Sequence, residues 1–267
     1  VIEIQRSRLK KMRRHYKRLL HDFDTEEIHD FRLAFKKLRA FSRLLNDTNG
    51  IKTGIGKQLK DFYHLAGKIR NLQISRNRII TLCEQLQLKF PEVYLELLKS
   101  LEYSYRAKAI EASQEIQIAQ LEDQFHFSEN KPEEQQVANF VIRKETDCSC
   151  LFTLYPFYDE ALHESRKKLK DLIYNCDHIE SFGLSPVPAG FLNKENMEVV
   201  AEKLGDFQDL CDSLELLEPQ YVDRIGDMEE KVILNVIREY LIFLKQELKE
   251  ELTVLVQPAL SAEVLQD

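Results

Sequence analysis

Apolar residues recur at three- and four-residue intervals along almost the whole chain, the spacing of a helix that buries one face. The first stretch predicts a helix over about residues 2–21, with Leu9, Met12, Tyr16, Leu19 and Leu20 on its apolar side. The next covers about residues 25–46 and is announced by Asp24-Thr25-Glu26-Glu27, a capping oxygen followed by early acids. Asn49-Gly50 and the Gly54/Gly56 pair predict a loop, followed by a helix over about residues 56–88. Pro91 opens a long helix predicted to reach about residue 127, and residues 128–132 form a polar break. Helices over about residues 133–144, 158–179, 194–217 and 221–256 follow, with Ser185-Pro-Val-Pro-Ala-Gly190 as a loop. No segment sustains the alternation of a strand; residues 152–158 are the one apolar run of ambiguous type. The expected architecture is all-α, two four-helix bundles over residues 1–130 and 131–267 that together make one domain.

Composition supports helix and narrows the setting. Gly (8) and Pro (7) are scarce in 267 residues, Trp is absent, and 31% of residues are charged. Five scattered cysteines do not make a disulfide framework, which leads us to expect a reducing, cytoplasmic setting. No run of 18 apolar residues predicts a membrane span, and Val1-Ile-Glu-Ile lacks the apolar core of a signal peptide.

Charge is distributed very unevenly. Residues 1–80 hold 20 Lys and Arg against 8 Asp and Glu, a net of +12, while the remainder holds 18 against 37, a net of -19. In the second predicted helix, His29, Arg32, Lys36, Arg39 and Arg43 stand at offsets 0, 3, 7, 10 and 14. At helical twist they fall within an arc of about 80° and span roughly 21 Å, opposite Phe31, Ala34, Phe35, Leu38, Phe41 and Leu45. Like charges at these spacings repel by a few tenths of a kcal/mol per pair, so the stripe calls for something negative beside it. Carboxylates on neighbouring helices would supply it, and so would a polyanionic ligand. Two further stripes favour the ligand. Arg6, Lys10, Arg13 and Lys17 share one face of the first helix, with Arg14 and His21 at its edge. Lys57, Lys60, His64 and Asn71 share one face of the third, with Lys68 beside them. Packed together, the three would line a groove that focuses positive potential.

The stripe has a partial echo. His163, Arg166 and Lys170 repeat His29, Arg32 and Lys36 at the same offsets, and Leu172 matches Leu38, but Ile173 and Asp177 stand where the first copy has Arg39 and Arg43. Further on, Gly67 and Asn71 are echoed by Gly205 and Asp209. With His29-Asp-Phe-Arg32-Leu-Ala-Phe-Lys36-Lys37-Leu38-Arg39 and His163-Glu-Ser-Arg166-Lys-Lys-Leu-Lys170-Asp-Leu172, the chain resembles the CHAD domains, histidine-bearing α-helical domains, over nearly its whole length. The resemblance implies two four-helix bundles related by pseudo-twofold symmetry, with basic side chains facing a central cleft. It also implies binding of inorganic polyphosphate, with no catalytic activity. Family members often accompany a triphosphate-processing CYTH domain; none is visible here, so the expectation is a stand-alone member, cytoplasmic and associated with polyphosphate or storage granules.

The expected polyphosphate-binding set is thus Arg6, Lys10, Arg13, Arg14, Lys17, His29, Arg32, Lys36, Arg39, Arg43, Lys57, Lys60, His64, His163, Arg166 and Lys170. Guanidinium forks donate in pairs to phosphate oxygens, Lys adds point charge, and the two histidines donate neutrally or become cationic beside phosphate. Glu195, Glu198 and Glu202 replace Lys57, Lys60 and His64 in the second half and are placed to pair with Arg166 and Lys170, which predicts a site dominated by the first half. No cofactor, metal or catalytic residue is expected: Cys148-Ser-Cys150 lacks a matching zinc pair, and His15, His126 and His178 read as surface or packing residues. No phosphate-cradling glycine loop or nucleophile elbow occurs. Three alternatives stay open: a nucleic-acid or nucleotide binder, disfavoured because stacking aromatics are not interleaved with the stripe; a metal-dependent polyphosphate or triphosphate hydrolase; and a scaffold whose basic groups are merely solvated.

Overall fold

The structure is a computed structural model and describes residues 1–50, 55–116, 131–152, 157–184 and 194–263. Among these there are nine helices and no strand: α1 (Ile2–Asp22), α2 (Thr25–Asn49), α3 (Lys57–Gln85), α4 (Glu92–Gln114), α5 (Glu134–Phe152), α6 (Asp159–Ser181), α7 (Lys194–Leu216), the single turn α8 (Pro219–Val222) and α9 (Met228–Glu263). The all-α expectation holds. No described helix is long and apolar enough to cross a membrane.

Local chemistry sets several boundaries. Phe23 takes a left-handed conformation (φ 55°) that ends α1 and returns its N–H to the Leu19 carbonyl. Asp24 then caps α2, its Oδ1 accepting from the N–H groups of Glu26 (2.9 Å) and Glu27 (3.2 Å). This two-residue link makes α1 and α2 a tight antiparallel hairpin. Gly50 ends α2 at φ 66°, a conformation that a Cβ would oppose. Some expected ends move. The helix after Pro91 stops at Gln114, and residues 117–130, with His126 and the first three residues of the expected break at 128–132, lie outside the described residues. The helix expected over 133–144 continues to Phe152. The final helix starts at Met228 because Pro219 nucleates a separate turn before it. The ambiguous run at 152–158 falls mostly in residues 153–156, and the Ser185–Gly190 loop within 185–193, both outside the described residues.

Neighbouring helices pack in chain order: α1 on α2, α2 on α3, α3 on α4, then α5 on α6, α6 on α7, α7 on α9. The main crossings between the halves are α2 on α6 and α3 on α7, with smaller ones of α2 on α5 and of α9 on α3 and α4. The main crossings join the helices that carry the two copies of the sequence motif. One core cluster fills α1–α3 around Phe31, Phe35 and Phe62, with Tyr16 and Phe62 rings 4.8 Å apart. The larger cluster takes Phe41, Leu44 and Leu45 of α2 and Leu72, Ile79 and Leu82 of α3 together with α5, α6, α7 and α9. Its inter-half seam includes His178, expected to be an ordinary surface or packing residue. Its ring is fully buried 4.7 Å from Phe41, with Nε2 3.1 Å from the Lys37 carbonyl and Nδ1 3.4 Å from Arg8. Burial, with the Arg8 charge, lowers its pKa to about 4. Cys83, Cys148, Cys176 and Cys211 are free thiols, and burial raises Cys148 to about 12.

Candidate functional site: a cation cluster between four helices

The α2 stripe is three different environments rather than one. At its C-terminal end Arg43 is neutralised by Asp171 of α6 at 3.0 Å, which also takes Lys144 of α5 at 3.3 Å. On the flank, Lys37 meets Asp177 at 3.5 Å, so the residue that breaks the echo supplies a countercharge. His29, at the N-terminal end, is exposed; burial of its ring atoms, and then the charge of Arg70, lower its pKa.

The middle of the stripe is where charge accumulates. Arg32 lies over the Tyr63 ring at 4.3 Å and donates from Nη1 to the Tyr63 carbonyl at 2.7 Å. Arg39 reaches the same ring at 5.9 Å. Tyr63 in turn stacks on Phe35 at 4.3 Å, so its position is fixed by the core. A cation over an aromatic face gains electrostatic attraction without being neutralised. Lys36, one turn on, is half-buried among Arg32, Arg166, Arg70 and Arg39. Burial first, and then those four charges, depress its pKa from 10.5 to about 7. Burial also lowers Arg32, against a partial offset from Asp212.

Arg166 and Lys170 enter from α6, so the two motif copies do converge on one place. Burial and the neighbouring Arg166 lower the pKa of Lys170, with Glu198 and Glu202 acting in the opposite sense. Those two acids therefore act on Lys170 electrostatically, short of the direct ion pairs that the spacing predicts; the Glu195 side chain lies outside the described residues. The floor of the second half is a hydrogen-bonded relay. Asp212 accepts from Asn71 Nδ2 (2.8 Å) and Gln208 Nε2 (2.7 Å), and Gln208 Oε1 meets the Nδ1 of His163. The side-chain Nε atoms of Arg70 and Arg166 are buried with no hydrogen-bond partner. Buried donors are normally satisfied, so unpaired guanidinium nitrogens in a like-charge cluster are where an anion would be favoured.

The glycine echo has a steric meaning. A Cβ on Gly67 would stand 2.8 Å from Arg32 Cζ and 3.1 Å from Nη2, and closer still to Nη1. A Cβ on Gly205 would be 3.9 Å from Arg166 Nε, ordinary contact. Gly67 therefore keeps room for the Arg32 guanidinium.

Other expected residues lie elsewhere. Lys10, Arg13, Arg14 and Lys17 of α1 line their own shallow concavity with Ser7, Lys11 and Arg18, and Arg6 is exposed on the same helix. Lys57, Lys60 and His64 of α3 are exposed, with the His64 ring edge-on to Tyr63 at 5.4 Å. The sequence reading missed Arg70, Tyr63, Asp212 and Gln208. Arg70 sits seven residues after Tyr63, one heptad along the same face, which was the available signal. It also missed that His15 of α1 meets Glu27 and Asp30 of α2.

With this geometry in place, comparison with known proteins gives a consistent picture. The family model described as CHAD domain matches residues 3–218. The crystal structure of the CHAD domain from the plant Ricinus communis superposes with a TM-score of 0.68 at 15% identity, covering 98% of this chain and 90% of that one. PptA from Streptomyces chartreusis superposes with a TM-score of 0.67 at 13% identity, covering 96% and 95%. No curated protein matches by sequence.

Proposed function

The chain belongs to the CHAD domain family, and from that premise we propose that it binds inorganic polyphosphate, without hydrolysing it, in the cation cluster between α2, α3, α6 and α7. The observation that carries this reading is Lys36, an ammonium held half-buried among four guanidinium groups, where burial first and those charges after it push its pKa down to about 7. Such an arrangement destabilises the empty protein and is relieved by anionic oxygens. Arg32, fixed on Tyr63, presents its remaining N–H groups in a set direction, and Arg70 and Arg166 bring further unused donors. Polyphosphate, with a negative charge on every unit, suits a row of such forks. The exposed cations of α3, with His29 and Lys170 at the margins, offer further positive charge to a longer chain, and the α1 cations line a separate concavity.

A non-catalytic role is favoured by what the nearby acid does. Asp212 is engaged by Asn71 and Gln208 and electrostatically by Arg166, so it serves as part of the cluster's frame. Long-chain polyphosphate, single-stranded DNA, duplex DNA and ATP should be titrated separately, with and without Mg²⁺, while released phosphate is assayed. Tight, salt-sensitive binding of polyphosphate without phosphate release is the expected result. Equal affinity for DNA would remove the polyphosphate assignment, and release of phosphate would convert the reading to a hydrolase.

A further inference from the structure

We propose a divalent transition-metal site, of the zinc type, stapling α1 to α2 through His15, Glu27 and Asp30. His15 lies in the middle of α1 and only 5% of its side chain is exposed. Neither of its ring nitrogens has a hydrogen-bond partner, and the Oε2 of Glu27 is likewise buried and unpartnered. Leaving such groups unsatisfied is destabilising, so a buried histidine whose two ring nitrogens lack hydrogen bonds asks for a partner.

The geometry says what kind. His15 Nδ1 is 3.5 Å from Glu27 Oε2 and 3.6 Å from Asp30 Oδ2, and the three ligand atoms lie within 4.8 Å of one another. Both separations are too long for good hydrogen bonds. They are close to the edge of a tetrahedron, roughly 3.3–3.4 Å, drawn by bonds of about 2.0–2.1 Å from zinc to nitrogen and oxygen. Glu27 and Asp30 are one helical turn apart on α2, so both carboxylates face α1 by the hairpin's construction. Two carboxylates balance a divalent charge. The other oxygen of Glu27 has Arg18 at 3.6 Å, an outer contact that orients the carboxylate. Asp30 is half exposed, which leaves a fourth position open to water. An imidazole with only two carboxylates suits a borderline transition ion better than Mg²⁺ or Ca²⁺, which prefer more oxygen ligands.

The site is separate from the cation cluster, and its failure would leave the polyphosphate reading untouched. The test uses the whole chain, freed of metal and titrated with Zn²⁺ and with Co²⁺. The expected result is one equivalent bound, a rise in Tm with Zn²⁺, and the intense visible absorption of four-coordinate Co²⁺. Asp30→Asn, at an exposed position, and Glu27→Gln, isosteric at a partly buried one, should keep the helical circular dichroism and weaken binding at least tenfold; His15→Gln should abolish it. The proposal is overturned by wild-type protein that takes up no stoichiometric metal, which would leave His15 as an ordinary ion-pair partner. Binding unchanged in the three variants, or a cobalt spectrum dominated by thiolate charge transfer, would overturn it equally.

Discussion

The guanidinium of Arg32 occupies the space that a side chain at residue 67 would fill, its Cζ 2.8 Å from where a Gly67 Cβ would stand. Gly67 lies inside α3, where glycine costs roughly 1 kcal/mol of helix stability relative to alanine. Gly67→Ala should therefore keep or raise the Tm while displacing Arg32 from Tyr63 and weakening polyphosphate binding by tenfold or more. Gly205→Ala is the internal control, since its Cβ meets nothing closer than 3.9 Å. It should leave affinity within about twofold, because no forced displacement adds the 1.4 kcal/mol that a tenfold loss needs. Isothermal titration and thermal melts of the two variants decide it.

Lys36 gives a trade between stability and binding. Its pKa in the folded protein is about 7 and in the unfolded chain 10.5. The unfolded chain thus holds the extra proton between those values, and stability rises as pH climbs through that window. Below about pH 7 the folded protein carries the full penalty of the charged ammonium. Lys36→Met should stabilise the empty protein at pH 7 by about 1–2 kcal/mol, the usual gain from relieving a functional conflict. The same variant should bind polyphosphate more weakly. In the wild type, bound phosphate raises the Lys36 pKa, so binding above pH 7 takes up a proton and affinity falls with rising pH by up to about tenfold per unit. Titrations in buffers of different ionisation enthalpy should detect that proton, and lose it in Lys36→Met.

Arg166 and Arg43 separate centre from margin. The sequence pattern predicts a site dominated by the first half. The structure sets Arg166 beside Lys36, second after Arg32 among the charges acting on it. Arg43 instead is paired with Asp171. Arg166→Ala should lower affinity at least tenfold and flatten the salt dependence by about one counterion, by analogy with DNA. Arg43→Ala should leave affinity within about threefold and lower the Tm, because the buried Asp171 loses a partner. Binding isotherms at several salt concentrations distinguish the two.

His178 makes the seam between the halves sensitive to acid. Its pKa is lowered from 6.5 to about 4, so the unfolded chain binds the proton more readily. Its contribution is present above pH 6.5 and is lost as pH falls through 4, amounting to about 3 kcal/mol. His178→Leu should flatten the Tm profile between pH 6.5 and 4 if melts are followed by circular dichroism.

Periodicity and caps made the helices legible, and the stripe made half of the site legible. Arg32, Lys36, Arg166 and Lys170 were found because a helix face is a local pattern in the sequence. Tyr63, Arg70 and Asp212 were not, because their roles depend on how α3 and α7 cross the stripe. The countercharges Asp171 and Asp177 were hidden for the same reason: partners more than 100 residues apart leave no local spacing. His15 was passed over because its ligand partners lie across a hairpin whose register the sequence did not specify.

The larger core joins Phe41, Leu44, Leu72 and Ile79 to α5, α6, α7 and α9. During synthesis this gives an order of events. The first 80 residues, with a net charge of +12, leave the ribosome well before the helices that complete the packing around Phe41 exist. Contacts so far apart along the chain carry a loop-closure cost that slows folding. For that interval an electropositive segment with an unfinished apolar seam is exposed to whatever polyanions and hydrophobic surfaces the cell offers, and its fate depends on how quickly translation delivers the second half.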